Sequence, residues 1–121
     1  MGNYRTESLG TSHSFLRSAA GTYTEFDPPN TQEPGSSATG INDAGTIVGE
    51  YVDANLVRHG YLRKPDGSFV TFDDPNAAAV SVPGSNPIVN LGTDPVGIND
   101  SGAVIGEFSD ANGVRHGFLW Q

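Results

Sequence analysis

GINDAGTIVGEYVDANLVRHGYL, residues 40 to 62, returns as GINDSGAVIGEFSDANGVRHGFL at residues 97 to 119. A stretch copied with its glycines, Asn-Asp pairs and apolar spacing intact means that the chain packs as repeated units. The copy extends backwards. Residues 2 to 16, GNYRTESLGTSHSFL, lie over residues 49 to 62 once one inserted residue is allowed, bringing Tyr4, His13, Phe15 and Leu16 into register as a worn first copy. YTEFDP at residues 23 to 28 then answers FVTFDDP at residues 69 to 75, and His13 to His59 and Phe26 to Phe72 are both 46 positions apart. From His59 to His116 the spacing is 57, and the extra residues all fall between Phe72 and Gly97, in AAAVSVPGSNPIVNLGTDP. One domain is expected, holding a partial repeat at 2–28, a full repeat at 38–75, a long inter-repeat loop at 76–95 and a partial repeat at 95–121.

Each unit divides into four strands, expected in the middle copy at Ala38–Ile41, Thr46–Val52, Val57–Arg63 and Ser68–Phe72. The turns between them have local causes. Asn42-Asp43-Ala44-Gly45 and Asn99-Asp100-Ser101-Gly102 offer side chains that bond their own backbone, then a glycine able to take positive φ. Lys64-Pro65-Asp66-Gly67 and Asp110-Ala111-Asn112-Gly113 suit a type I turn closed by a glycine bulge. Leu56 stands where the middle copy lacks that glycine, so Asn55 is expected to take the left-handed conformation. In the second strand Ile47, Gly49 and Tyr51 alternate with Val48, Glu50 and Val52, leaving apolar residues on both faces and implying a sheet covered on both sides. The chain then holds strands two to four of one unit, four of the next and one to three of a third, ten in all.

Antiparallel four-stranded units at this period have the pattern of propeller blades, and the fold class expected is all-β with blade-like units, an incomplete ring completed by self-association. An open stack or sandwich of sheets is the competing architecture. Sixteen glycines, eight prolines and short runs of β-branched and aromatic residues leave little room for helix. A net charge of −8 with scattered basic residues argues against nucleic acid as a partner. The absence of cysteine removes disulfides and thiolate metal sites without identifying a compartment. No run approaches the roughly 18 apolar residues of a spanning helix. Met1 to Gly10 has no apolar signal-peptide core, so the chain is expected to be soluble as written, any export signal having been removed or never having belonged to it.

GINDAGTIVGEY and GINDSGAVIGEF, followed by RHGYL and RHGFLW, resemble the bacterial extracellular repeats called the HAF family. The likeness covers nearly the whole chain and is weakest in the first copy, where Ser14 replaces the glycine after histidine. It implies a tandem, propeller-like architecture and an extracellular or periplasmic location. It carries over no catalytic residue.

The recurrent polar set is Glu50, Asp53, Arg58 and His59, answered by Glu107, Asp110, Arg115 and His116. In a two-residue hairpin loop at Ala54-Asn55, Glu50 would lie across from His59, a pair able to hold a metal or poise an imidazole. In a three-residue bulged turn the partner becomes Tyr51 and that pair dissolves. The candidate ligand-binding residues are His59, His116, Glu50, Glu107 and Trp120, and the candidate metal ligands are Asp53, Asp110, His59 and His116. A repeated histidine beside a glycine more often ties structure together than performs chemistry. Asn42-Asp43 and Asn99-Asp100 lack the alternating oxygen ligands of a calcium loop and read as turn caps, while Asp27, Asp73 and Asp74 read most simply as strand ends before proline, the alternative being an acidic cluster near a shared axis able to bind a cation. No serine lies in a GxSxG setting and no phosphate-cradling loop precedes a helix. Trp120 and the aromatics Tyr4, Tyr51, Tyr61, Phe108 and Phe118 could form sugar-stacking shelves, but at strand spacing the five read first as core, with Trp120 the exception.

No cofactor is predicted, a divalent metal being the one this set could hold. The function expected first is a non-enzymatic, self-associating repeat module, a homo-oligomer offering clefts between blades to a carbohydrate or other surface ligand, with no nucleic acid partner and no membrane span. The alternatives are a small metal-dependent hydrolase built on the repeated Glu, Asp and His, and a piece of a larger repeat protein without separate activity.

Overall fold

The computed structural model describes residues 2–5, 12–32, 35–77 and 92–121, with part of the inter-repeat loop outside them. Ten strands appear among these residues and no helix: β1 Gly2–Arg5, β2 Ser12–Arg17, β3 Tyr23–Phe26, β4 Ser36–Ile41, β5 Ile47–Val52, β6 Arg58–Arg63, β7 Phe69–Phe72, β8 Thr93–Ile98, β9 Val104–Ser109 and β10 Arg115–Trp120. They form three antiparallel sheets in the orders β1-β2-β3, β4-β5-β6-β7 and β8-β9-β10. These are the first, second and third units. Among the described residues the first unit shows three strands, the second four and the third three, as the repeat pattern divided them. β4 and β8 begin at Ser36 and Thr93, ahead of the boundaries expected at 38 and 95, so residues 93 to 95 belong to a strand paired with β9 and not to the inter-repeat loop. Among the described residues no sheet closes on itself.

One hairpin design recurs. In Asn42–Thr46, Asp53–Val57, Lys64–Ser68, Asn99–Ala103 and Asp110–Val114 the first N–H donates to the fifth carbonyl and the fourth N–H to the first carbonyl. That is a three-residue loop with a bulge, whose fourth position needs positive φ. Gly45, Gly67, Gly102 and Gly113 supply it, and in the middle copy the residue is Leu56 at φ 62°. The expectation that Asn55 takes this conformation is therefore corrected, because the bond pattern fixes which position of the loop is left-handed. The same loop sets the register, with Tyr51 opposite His59 and Glu50 opposite Gly60.

Successive sheets pack on each other through alternate residues of the same strands. One face of the second unit (Ile47, Tyr51 and Tyr61) packs with Phe26 of the first, and the other (Val48, Leu62 and Phe72) packs with Val104 of the third. A sheet covered on both faces is what the two-sided apolar pattern of β5 requires. The two junctions are alike. Ser12 bridges to Gly35 and Arg58 to Gly92, both in parallel sense, while Val52 and Ser109 donate their N–H to the carbonyls of Gly35 and Gly92.

The glycine of the RHG triplet has a steric cause. A Cβ on Gly60 would lie 2.7 Å from the ring of Phe72, which crosses over it from β7, and 3.0 Å from Pro95 of the third unit. In the first unit Ser14 takes this place, and its buried hydroxyl meets Asn3 and, at 3.1 Å, Ser36, so a polar junction replaces the close ring contact.

Candidate functional site

The repeated histidine is the natural centre of any site. His59 lies on β6 facing Tyr51, with the two rings 5.2 Å apart and inclined by 32°. Its Nε2 is 2.7 Å from Oδ2 of Asp53 in the β5–β6 turn, and its Nδ1 is 2.8 Å from Oδ2 of Asp73 just after β7. Asp53 is itself fixed, since its Oδ1 accepts the N–H groups of Asn55 and Val57 at 2.8 and 3.1 Å. An imidazole whose two nitrogens both face carboxylate oxygens must donate from both, which is the protonated form. Burial alone would lower the pKa of His59, but the bonds to Asp53 and Asp73 outweigh it and hold the group above its ordinary value. Asp53 is the counterpart: burial would raise it, and the bonds from His59, Val57 and Asn55 hold it below the usual carboxylate range. The imidazolium thus staples the second hairpin to the end of the fourth strand.

The neighbouring units show parts of the same staple. His116 places Nε2 2.9 Å from Oδ2 of Asp110 and stacks on Phe108 at 5.0 Å. His13 places Nδ1 2.7 Å from Oδ2 of Asp27, the first unit's counterpart of Asp73. Sequence reasoning read Asp27 and Asp73 as strand ends or as part of an acidic cluster for a cation and missed their pairing with histidine, although each follows its histidine by 14 positions in two units, a recurrence that pointed to the pair.

Glu50 belongs to a different cluster. It points to the third unit, where its Oε2 lies 3.4 Å from Nη1 of Arg58, and the same Nη1 is 3.1 Å from Oδ2 of Asp94 on β8. Burial pushes the Glu50 carboxyl up to about 7, with Arg58 opposing the rise and Asp94 adding to it. Oε2 of Glu50 and Nε of Arg58 are buried without a hydrogen-bond partner. Beside this cluster a cavity of about 10 Å³, lined by Arg58, Gly92, Asp94, Glu107, Ser109 and Arg115, has room for roughly one water molecule. In the third unit Glu107 and Arg115 form the equivalent pair at 3.0 Å, half or more exposed where the second unit's pair is covered.

The structure therefore separates the residues that sequence reasoning grouped. Glu50 and His59 do not meet, because the bulged loop gives them opposite faces. Asp53 and His59 do meet, as do Asp110 and His116, but as ion pairs within a hairpin. Among the described residues no three His, Asp or Glu side chains converge as a metal shell would. Trp120 stacks on Phe72 at 4.5 Å and 14°, which commits one ring face to the junction between the second and third units. Tyr51, Tyr61 and Phe108 are buried and Phe118 is half-buried, while the side chain of Tyr4 lies outside the described residues. Asn42 and Asn99 cap their own turns through Oδ1. The two turns also join across the units, Asn42 Nδ2 donating to the Asn99 carbonyl at 3.2 Å and the Asp43 N–H to Oδ1 of Asp100 at 2.8 Å.

Chemically, a doubly ion-paired imidazolium has no lone pair with which to ligate a metal or take a proton until one aspartate is displaced. The arrangement holds strands together. Comparison with protein-family models, curated proteins and solved structures gave no match. The likeness to HAF repeats rests on the quoted motifs alone.

Proposed function

We propose that this chain is a non-enzymatic repeat module of the propeller type, whose blades stack through one recurrent junction and which self-associates through the faces that the junction leaves bare. The observation carrying this reading is the contrast between equivalent residues. Val48, Leu62 and Val57 of the second unit are 0, 8 and 2% exposed, whereas Ile105, Leu119 and Val114 at the same positions of the third are 55, 62 and 52% exposed. A surface that the second unit buries against a neighbouring sheet is exposed on the third among the described residues. An apolar hollow of about 300 Å³, lined in part by Ile98, Ile105 and Leu119, lies on that surface.

Secretion, as the HAF likeness implies, and the docking of a glycan or other surface ligand between blades belong to the same reading. The metal-dependent hydrolase finds no support in the histidines, since a metal would have to break two ion pairs at His59. The test is a double variant, Ile105→Glu with Leu119→Glu. Both side chains are already exposed, so the fold should survive, and light scattering should show the assembled wild type reduced to monomers. Equal masses for wild type and variant would remove this face from the assembly.

A further inference from the structure

The two junctions between sheets are alike in main chain and differ in charge. Asn3 and Glu50 hold the same place, each one residue before the tyrosine that pairs with the repeated histidine. Ser12 and Arg58 make the equivalent bridges to Gly35 and Gly92, and Ser37 and Asp94 follow those glycines by two positions. At the first junction the side chain is an amide bonded at both ends. Asn3 Nδ2 donates to the Ala38 carbonyl at 3.2 Å, and its Oδ1 accepts from the Ala38 N–H at 2.8 Å and from the Ser14 hydroxyl at 3.1 Å. The second junction holds two carboxyl groups and one guanidinium in its place. Arg58 donates through Nη1 to Asp94 at 3.1 Å, while Oε2 of Glu50, 3.4 Å from the same nitrogen, is buried without a hydrogen bond. One guanidinium thus satisfies Asp94 and leaves Glu50 short. Closing the sheets over an ionised Glu50 takes water from it and returns no bond, a cost that a proton on the carboxyl removes.

We propose that Glu50 makes the face between the second and third sheets a proton-operated latch, shut while its carboxyl carries a proton and loosened when the proton leaves. The groups around it leave Glu50 as the one that switches. β4 presents Ser37 opposite Glu50 and β6 presents Gly60, both uncharged. Arg58 from β6 and Asp94 from β8 are the charged neighbours, and across the small cavity Glu107 on β9 and Arg115 on β10 offset each other at 3.0 Å. The Tyr61 hydroxyl, pushed up to about 12 by burial, adds no charge at neutral pH. Burial lifts the Glu50 carboxyl to about 7 from 4.5, Arg58 opposing and Asp94 adding to the rise. Between those values the shut face holds a proton that the open face releases, so the opening constant climbs by about ten-fold per pH unit and levels off above 7. What parts is the packing of Val48, Leu62 and Phe72 on Val104, Phe118 and Trp120. Asn3 gives the first junction no proton to lose at that place. The latch works within one chain and does not rest on self-association.

The chain has no cysteine, so Val104→Cys places a single thiol in the shut face, where Val104 is fully buried. Its rate of reaction with dithiobis(nitrobenzoate), divided by that of a short cysteine peptide at the same pH, gives the opening constant free of the thiol's own titration. Ile47→Cys, fully buried against the first unit, is the reference. From pH 5 to pH 8 the opening constant at Val104→Cys should rise on the order of 100-fold. Adding Glu50→Gln, which keeps the shape of the protonated acid, should remove most of that rise and so separates Glu50 from the histidines that discharge over the same range. Asp94→Asn, which frees Arg58 for Glu50, should move the rise to lower pH. At pH 8 the Val104→Cys thiol should react at least about ten-fold faster than the Ile47→Cys thiol, as local opening demands. A flat opening constant, an equal rise in Glu50→Gln or an unmoved rise in Asp94→Asn would each overturn the latch. So would equal opening constants for the two thiols at pH 8, since only unfolding of the whole chain would then expose them.

Discussion

Gly60 and Gly117 occupy the same position of the repeat and should respond oppositely to one added methyl group. At Gly60 the Cβ would lie 2.7 Å from the Phe72 ring, nearer than carbon atoms approach, so the ring or the strand must move. Phe72 is 8% exposed, stacks on Trp120 at 4.5 Å and meets Phe118 edge-on at 6.4 Å. Overpacking of this kind costs about 1–3 kcal/mol, and displacing the ring forfeits about 0.5–1.5 kcal/mol of aromatic pairing as well. Against this stands the roughly 0.5–1 kcal/mol by which glycine weakens a strand relative to alanine. Gly60→Ala should therefore destabilise by about 2 kcal/mol. Gly117→Ala, with its nearest atom at 3.9 Å, should leave stability unchanged or raise it by about 0.5 kcal/mol. Urea unfolding of both variants, followed by tryptophan fluorescence, measures the difference, and Trp120 on Phe72 reports the junction itself. Equal changes for the two variants would refute the claim that this glycine exists to admit a strand-four ring.

Three further outcomes follow from the charged groups. The Glu50 carboxyl, at about 7 in the folded chain against 4.5 ordinarily, favours folding below the unfolded value and loses that advantage as pH rises through 7. Thermal stability should thus fall from pH 5 to pH 8, and Glu50→Gln should remove most of that slope, by on the order of 3 kcal/mol at the upper limit; an unchanged slope would contradict the buried Glu50–Arg58–Asp94 cluster. His59, also raised, acts in the same direction just above 6.5, so His59→Gln should lower stability by about 1–2 kcal/mol at pH 6 and by less at pH 9, read by calorimetry at both pH values. Asp53, held low, stabilises above 3.8 and loses that contribution on acidification, so Asp53→Asn should reduce the chain's sensitivity to acid between pH 4 and pH 2, while an identical acid midpoint would remove its ion pair with His59 from the account.

The strand count and its division into three, four and three were legible because repetition aligns turns with turns, while the phase at which the chain divides into blades was not. Asn42 with Asn99 and Phe26 with Phe72 mark the same points of the unit without any long-range information. The hairpin register was not legible, because it depends on which loop residue is left-handed. Asn55 is the better left-handed residue by propensity, yet the bond from the Leu56 N–H to the Asp53 carbonyl places the strain on Leu56. That single choice dissolved the Glu50–His59 pair and gave His59 to Asp53 and Asp73. The role of Gly60 was hidden for a different reason. A glycine inside a strand reads as weakness until the ring that crosses it is seen, and Phe72 lies 12 positions away on another strand. The Arg58–Asp94 contact was hidden by distance in sequence, since it joins residues of different units 36 positions apart.

The central claim, that the unit is built to be covered by another like it, is tested most directly by the mass of the chain in solution. Sedimentation equilibrium across a concentration series should show a monomer of 12.7 kDa giving way to one closed species at a small whole multiple of that mass. A lone 12.7 kDa species persisting to roughly 0.5 mM would contradict it, for the exposed Ile105, Leu119 and Val114 would then have no partner of their own kind.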